Sequence, residues 1–256
     1  MNLKLSDVLR PECLAGSTVT VIYDSYSSAW QIPLVMLKEL LEGGGFGVIS
    51  NYSLPFQSLL RKARAVGLDV MKALETNHMA VIDLFGTRYS ALRPDIPNVF
   101  YLDKVEPETI NPKIERIYSN YLLDLIDGMR LLRIIYTLDG AALMLGEDHT
   151  LKLLNQTLAY TNARLSDSTL ILALNQDVVS KRFVGWVSGV SDVLLLVRSY
   201  IGAGFAREYL YLMAAPCEDF EPAVYEMRVT RKKGTERFEI KKLSAPELGP
   251  PAEEKR

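Results

Sequence analysis

One stretch of sequence decides the fold: residues 19–32, which read VTVIYDSYSSAWQI. Residues 19–23 are apolar and largely β-branched, which predicts a buried strand. A polar loop follows, and Pro33 stands where proline fits the first turn of a helix. In α/β proteins a loop between a strand and a helix is a natural phosphate site, because backbone N–H groups and the helix N-terminus converge there. The residues of this loop therefore bear on both fold and function.

The alternation of strand and helix continues along the chain. The first helix ends at the glycines of 43–45. Further strands are predicted at 47–50, 80–84, 133–139 and 169–174, the third of these ending in the carboxylate of Asp139. Helices are predicted over 55–66 with Ser53 as cap, from Asn111-Pro112 to Met129, and from a cap at Asp148 to about Leu165. The segment 88–112 is rich in proline and polar residues and is predicted to be irregular.

The last third of the chain is β-rich. Strands are predicted at 193–198, 208–214, 224–230 and 237–242, and the last two form a hairpin across 232–235. The pattern predicts an α/β fold with a mostly parallel central sheet, antiparallel edge strands and a C-terminal hairpin. We expect a single domain over 1–243, followed by a flexible tail, 244–256, which contains three prolines.

Composition narrows the class of protein. The 256 residues are 48% hydrophobic and 23% charged with a net charge of −2, which fits a globular chain and gives no overall attraction for nucleic acid. No apolar run approaches the roughly 18 residues of a membrane-spanning helix, and the first residues lack a signal-peptide core. Cys13 and Cys217 have neither zinc-site spacing nor a disulfide framework. We expect a cytoplasmic protein with two reduced thiols and no membrane partner.

The first loop departs from a phosphate-binding P-loop at each defining position. In the pattern Gly-x4-Gly-Lys-[Ser/Thr], Asp24 takes the first glycine, Ala29 the second, Trp30 the lysine and Gln31 the hydroxyl. A carboxylate about 4 Å from a phosphate charge repels it by roughly 4 kcal/mol at an effective dielectric near 20, and no lysine offsets this. On these residues alone, an altered P-loop and an unrelated loop remain equally open.

Other motifs give weaker indications. Gly43 to Gly47 follow a helix and precede a strand, the reverse of a dinucleotide loop, and indicate a helix end. Glu147-Asp148-His149 could hold a metal ion, but a helix cap with a solvated neighbour explains them better. No serine has a plausible His and Asp partner set for nucleophilic catalysis. Asp139 is either a relic at a strand end or a metal ligand.

The order of several segments resembles the KaiC-type branch of the RecA-like ATPases over about residues 14–242. The similar segments are Gly16 to Val19, Ser58 to Asp69, Met79 to Asp83, Ile134 to Asp139, Leu172 to Asn175, Val190 to Val193, and Val224 to Arg228 with the turn 232–235. The resemblance implies a RecA-like three-layer sandwich. It also implies that Asp139 stands where the family's Walker B aspartate orders the magnesium shell, and Asn175 where a polar residue senses the γ-phosphate.

The chain also departs from that family. Asn51-Tyr52 replace the glutamate pair that supplies the family's catalytic base, and the nearest resemblance is to a small archaeal family of unknown function with a degenerate domain of this kind. We therefore expect no catalytic residue, cofactor or metal. The expected degenerate nucleotide face, or partner-binding face, consists of Asp24, Ser25, Tyr26, Ala29, Trp30, Gln31, Asn51, Tyr52, Asp139 and Asn175.

Two features suggest the partner. Tyr23, Tyr26 and Trp30 either pack in the core or line an apolar groove for a peptide. The segment 228–242 has a net charge of +5, which leaves −7 for the rest of the chain. Its basic residues include Arg228, Arg231, Lys232 and Lys233. They either protect a sheet edge or form an interface; in the hexameric relatives this hairpin reaches the nucleotide of the neighbouring subunit.

The function expected is that of a catalytically inactive domain that binds a protein, a peptide or a second copy of itself. The alternative is an ATP-binding enzyme with a non-standard phosphate loop, in which Lys181 or Arg182 supplies the missing charge. A nucleic-acid accessory role would rest on the basic hairpin alone, and nucleic acid is the less expected partner.

Overall fold

A mixed sheet of ten strands runs through the described part of the chain. The structure is a computed structural model that describes residues 5–9, 13–90, 93–202, 205–232 and 235–243. The strands are β1 (Thr18–Tyr23), β2 (Phe46–Asn51), β3 (Met79–Asp83), β4 (Val99–Phe100), β5 (Leu131–Tyr136), β6 (Thr169–Asn175), β7 (Val193–Gly202), β8 (Phe205–Ala214), β9 (Ala223–Lys232) and β10 (Thr235–Lys242). Their order across the sheet is β10-β9-β8-β7-β1-β6-β5-β2-β3-β4.

Helices cover both faces of the sheet. They are α1 (Leu5–Val8), α2 (Ile32–Glu42), α3 (Phe56–Ala65), α4 (Val70–Glu75), α5 (Leu84–Tyr89), α6 (Pro107–Ile117), α7 (Leu123–Ile126), α8 (Leu138–Leu145), α9 (Glu147–Arg164) and α10 (Lys181–Gly189). A 3₁₀ turn, Ser28–Gln31, precedes α2, and a π-helical turn, Tyr118–Leu122, joins α6 to α7. One apolar core lies between the sheet and α1–α4, and two more lie between the sheet and α5–α10. This is the α/β sandwich that the sequence predicts.

The central strands are parallel and buried on both faces. All six residues of β1 are buried, as are the first six of β6, which explains why both read as continuous apolar runs. In the register, Tyr23 of β1 lies beside Asn175 of β6, and Asn51 of β2 lies beside Tyr136 of β5. The carboxyl ends of these four strands therefore meet at one edge of the sheet.

The last four strands form the predicted antiparallel extension. β7 is parallel to β1 and pairs antiparallel with β8, and β9 and β10 follow as an antiparallel hairpin in which Lys232 lies beside Thr235. The two residues at its tip, 233–234, and the predicted tail, 244–256, lie outside the described residues. Among the described residues, no helix combines the length and the apolar character needed to cross a bilayer.

Two predicted helix caps are wrong. Helix α3 follows Pro55 without a side-chain cap, and the Ser53 hydroxyl bonds instead to Thr137 Oγ1 at 2.7 Å. Helix α9 begins one residue before Asp148, after a glycine with a positive φ angle. Pro55 and Gly146, rather than the predicted caps, directly precede the two helices. Ser53 therefore bonds elsewhere, and Asp148 lies within the first turn of α9.

The boundaries around two other segments also differ from prediction. The segment 88–112 is not wholly irregular: it contains β4, the end of α5 and the start of α6, which begins at Pro107 and contains Pro112. Helix α6 continues past the interior Pro112, and the neighbouring Asn111 amide donates to Leu153 O at 2.9 Å, which ties α6 to α9. Strand β5 ends at Tyr136, so Asp139 lies in the first turn of α8 rather than at a strand end.

The expectation of two reduced thiols is also wrong. Cys13 and Cys217 form a disulfide with their Cα atoms 5.6 Å apart. Cys13 precedes β1, and Cys217 lies in the connection from β8 to β9. Both segments lie at the amino end of β1, because β8 runs antiparallel to β7. The topology thus brings together two cysteines that are 204 residues apart in sequence.

Removing this cross-link should destabilise the fold. We expect the Cys13→Ser/Cys217→Ser double variant to lose about 2–4 kcal/mol in free energy of unfolding, because the open chain gains conformational entropy when unfolded. Urea unfolding with and without reductant measures the loss, and reductant should not affect the variant. Equal midpoints for oxidised and reduced wild-type protein would contradict the prediction.

Candidate functional site

The candidate site lies where the carboxyl ends of β1, β6, β5 and β2 meet. It contains the loop 24–31 after β1, Asn175 at the end of β6, and the turn from β5 into α8 that carries Asp139. Residues that lie close together at this edge are distant in sequence, because at least one helix intervenes in the chain between any two neighbouring strands of this group. The fold therefore gathers most of the predicted face into one place.

Backbone amides of the first loop are already hydrogen-bonded to acceptors of the same chain. Five consecutive N–H groups, those of Ser25, Tyr26, Ser27, Ser28 and Ala29, donate in turn to Asp177 Oδ2, Asp24 Oδ1, Asp24 O, Glu208 Oε2 and Ser27 Oγ, at distances of 2.8, 3.0, 3.1, 2.9 and 3.0 Å. A P-loop turns such amides toward a phosphate. Here the carboxylates of Asp24, Asp177 and Glu208 accept hydrogen bonds from the loop amides in place of a phosphate.

The carboxylate of Glu208 is the central acceptor of the loop. Its Oε2 atom accepts from Ser27 Oγ at 2.8 Å, from Ser28 N at 2.9 Å and from Ser28 Oγ at 3.0 Å. These donors stand at the start of the 3₁₀ turn that leads into α2, where the N–H groups and the helix dipole favour a negative charge. Glu208 thus occupies an anion site that the chain builds and fills itself.

Asp24 fastens the loop to β7. Its Oδ2 atom accepts from Ser199 N at 2.7 Å, while its Oδ1 atom accepts from Tyr26 N. The carboxylate at the position of the first P-loop glycine is therefore a cross-brace between the loop and the antiparallel strands. The Asp24 carboxylate still repels a phosphate, and replacing it would also remove the hydrogen bond that joins the loop to β7.

The aromatic residues do not form an open groove. Tyr23 is buried and Trp30 is partly buried, with Lys62 Nζ from α3 at 3.5 Å from the centre of its indole ring. Ala29 and Gln31 are buried as well. Of the three aromatic residues singled out from the sequence, only Tyr26 is well exposed, at 78%. Of these three rings, only that of Tyr26 is therefore open to a partner.

Asp139 belongs to a short chain of polar contacts across the strand ends. Its Oδ1 atom accepts from Asn175 N at 3.0 Å, and the Asn175 amide group donates to Ser25 Oγ at 3.1 Å. Burial raises the pKa of the Asp139 carboxyl, and the hydrogen bond from Asn175 opposes the shift. Burial and the Asp139 charge raise the pKa of the neighbouring Tyr23 hydroxyl. The surroundings thus favour the protonated carboxyl.

Asn51 and Tyr52 face away from this chain of contacts. The Asn51 amide is buried and donates to Asp83 Oδ1 at 2.8 Å and to Leu54 O at 2.7 Å. Tyr52 is buried on the side of the sheet covered by α6 and α9. Burial raises the pKa of the Asp83 carboxyl. The two residues at the position of the family's glutamate pair therefore act in packing and in orienting Asp83.

The turn between β5 and α8 depends on a close approach. The Thr137 hydroxyl and backbone N–H both contact Ser53 Oγ, at 2.7 and 2.8 Å. A Cβ atom at Gly140 would collide with the same serine hydroxyl, so glycine is required there. The contact holds the start of α8, and with it Asp139, against the end of β2.

The charged residues considered as substitutes lie elsewhere. Arg182 of α10 pairs with Asp148 of α9 at 3.1 Å on the surface, and Lys181 is exposed beside it. Glu147 accepts from the backbone and side chain of Ser180, which caps α10. Within the described ranges, no three His, Cys, Asp or Glu side chains are grouped to hold a metal ion.

The basic hairpin is described in part. The Arg228 guanidinium pairs with Glu226 at 2.8 Å on β9, and β9 carries Arg231 and Lys232 in its last residues. Lys233 lies outside the described residues. The glycines of 43–47 form the end of α2 and the start of β2, as predicted for a helix end.

Sequence reasoning missed Glu208, Asp177 and Lys62. One signal was available for Glu208: it lies two and four residues before Leu210 and Leu212, on the face of β8 that packs into the core. A carboxylate on a core-facing position needs a hydrogen-bonding partner. No comparable pattern marks Asp177 or Lys62, whose partners lie 152 and 32 residues away in sequence.

The comparisons with known proteins agree with this architecture. No family model matches the sequence, and no curated protein matches it. An uncharacterised protein, PH0321, from Pyrococcus horikoshii, solved in complex with an unknown peptide, superimposes with a TM-score of 0.72 at 19% identity, over 90% of this chain and 93% of the other. The KaiC-like protein PH0186 of P. horikoshii OT3 superimposes with a TM-score of 0.63 at 16% identity, over 90% and 91%. At these identities the likeness establishes the fold: this chain has a KaiC-like, RecA-like α/β sandwich.

Replacing Asp139 by Asn tests the charge state of the strand edge. Because burial raises the pKa of this carboxyl in the folded state, the folded state loses stability as the pH rises from the unfolded to the folded pKa, and the loss is complete above the folded pKa. The amide in Asp139→Asn can still accept from Asn175 N and cannot ionise. We expect equal stability at acid pH and an advantage for the variant that grows as the pH rises from the unfolded to the folded pKa, measured by urea unfolding. A less stable variant at neutral pH would show that a positive charge supports the carboxylate.

Replacing Glu208 by Ala tests the internal anion. The loss of the acceptor for Ser27 and Ser28 should lower the free energy of unfolding by about 1–3 kcal/mol. Added inorganic phosphate should then raise the melting temperature of Glu208→Ala more than that of the wild type, because the vacated donors can bind it. Glu208→Gln, which keeps an oxygen acceptor, and potassium chloride at equal ionic strength are the controls. The same response to phosphate in all three proteins would contradict the assignment.

Proposed function

We propose that this chain is a RecA-like domain that does not hydrolyse ATP and acts as a scaffold or regulator by binding a polypeptide or a second copy of itself. The observation that carries the proposal is the state of the first loop. Its five consecutive amides are bonded within the chain, and Asp24, Asp177 and Glu208 bring three carboxylates to the place where a phosphate chain would lie.

A triphosphate would have to displace these contacts. Hydrogen bonds to charged groups contribute about 1.5–3 kcal/mol each, so breaking the bonds to Glu208 and Asp177 would consume several kcal/mol before binding began. The displaced carboxylates would remain nearby and repel the phosphates. Lys62, a cation in contact with a loop residue, lies over the Trp30 ring. The position of the family's catalytic base is taken by Asn51, whose amide cannot activate water.

The polypeptide partner is supported by a structural neighbour. PH0321, which shares the fold over 90% of this chain, was solved with an unknown peptide. A peptide suits a loop with bonded amides and three carboxylates better than a nucleotide does, because a peptide needs no concentrated positive charge. The basic hairpin and the otherwise acidic chain also leave self-association as a route to the same role.

An ATP-binding protein with an unusual phosphate loop is the second candidate. One observation favours it: Asp139, in the first turn of α8, and Asn175, at the end of β6, remain in contact. This candidate needs Lys181 or Arg182 to supply the charge of the missing P-loop lysine, but Arg182 is paired with Asp148 on the surface.

Titration of the full chain with magnesium and ATP distinguishes the two candidates. We expect no calorimetric heat at micromolar concentrations and no phosphate release above a protein-free control. Micromolar binding together with turnover that Asp139→Ala abolishes would establish the ATPase instead. A well-ordered triphosphate against residues 25–31 in a crystal structure would do the same.

A further inference from the structure

A cavity of about 690 Å³ lies at the end of the sheet opposite the first loop. Its walls come from α1, the last turns of α2, the segment before β5 and the turn between α9 and β6. Since β1 spans six residues at about 3.3 Å each, the cavity and the first loop are roughly 20 Å apart. No residue of the predicted nucleotide face lines it.

The interior of the cavity is apolar. Leu5 and Leu9 come from the N-terminal segment, Met36 from α2, Leu132 from β5 and Leu165 from the end of α9, and all five are buried with less than a tenth of their surface exposed. Met129 at the mouth remains 36% exposed. The volume falls within the roughly 300–1,000 Å³ typical of ligand pockets.

Charges of both signs surround the apolar interior. Glu39 and Glu42 lie on α2, Arg130 precedes β5, and Arg164 and Asp167 lie at the end of α9. A nucleotide or a fatty acid would need a predominantly basic mouth. A polypeptide segment with apolar side chains between a basic and an acidic residue matches both the interior and the rim.

We propose that this cavity binds a short apolar segment of a partner polypeptide that is flanked by residues of opposite charge. The assignment rests on the proposed function and locates its site. Three or four side chains fill a pocket of this size, and burial of apolar surface supplies the driving force. The disulfide at Cys13 adjoins the wall residues Leu14 and Ala15, and a cross-link next to a binding site lowers the cost of ordering that wall on binding.

Selection from a random heptapeptide library displayed on phage, followed by fluorescence polarisation with the enriched peptides, tests the site. We expect enriched peptides with consecutive or alternating apolar residues between charges of opposite sign. Ala15→Trp, which fills the mouth, and Met129→Asp, which makes it polar, should each weaken binding by about tenfold or more. Leu143→Asp, on an α8 side chain that is 73% exposed and outside the cavity, is the matched control and should bind like the wild type.

The outcomes separate the site from the function. Unchanged affinity in both Ala15→Trp and Met129→Asp, each folded as judged by its melting curve, would overturn the assignment of the cavity. If Tyr26→Asp alone abolished binding, the peptide site would be the former nucleotide face, and the proposed function would stand without the cavity. If no peptide were enriched above an unrelated control protein, the cavity assignment and the peptide-binding form of the proposed function would both fail, and only self-association would remain.

Discussion

The hydrogen bonds of Glu208 to Ser27 and Ser28 are the interaction on which the rest of this structure depends. A helix N-terminus preceded by a loop of free amides attracts an anion, and an empty one leaves donors unpaired. This chain supplies the anion from β8, a strand of its own sheet. The loop amides are therefore bonded within the folded chain, and the loop is part of the framework.

That use of the loop explains the firm attachment of the antiparallel strands. Asp24 bonds to β7 and Glu208 projects from β8, so the loop is held to β7, which adjoins β1, and to β8, the next strand outward. At the opposite end of the sheet, the disulfide joins the segment before β1 to the connection after β8. The extension is thus fixed at both of its ends, which suits a domain that presents surfaces rather than one that moves around a nucleotide.

The sequence predicts the sheet well because strand and helix periodicity are local properties. Residues 19–23 and 169–174 are apolar runs of strand length, and both are buried parallel strands. The helix starts are harder, since Ser53 and Asp148 satisfy local capping preferences while α3 begins after Pro55 and α9 after Gly146. The disulfide and the Glu208 contacts depend on pairs about 180 to 200 residues apart, and no local rule reports such pairs. For the site, the altered loop could be identified from its residues, but the carboxylates that complete it could not.

The two ends of the sheet differ in what they offer to a ligand. At the carboxyl end, the backbone amides of the first loop are already bonded to acceptors of the same chain, so binding to those amides must break bonds before it forms any. At the amino end lies a recess of about 690 Å³, which is the volume that roughly twenty water molecules occupy in the liquid. Its buried walls are largely hydrocarbon. Water released from such walls by apolar side chains is a gain in free energy that requires no bond to be broken. The physical asymmetry between the ends therefore favours the amino end for recognition.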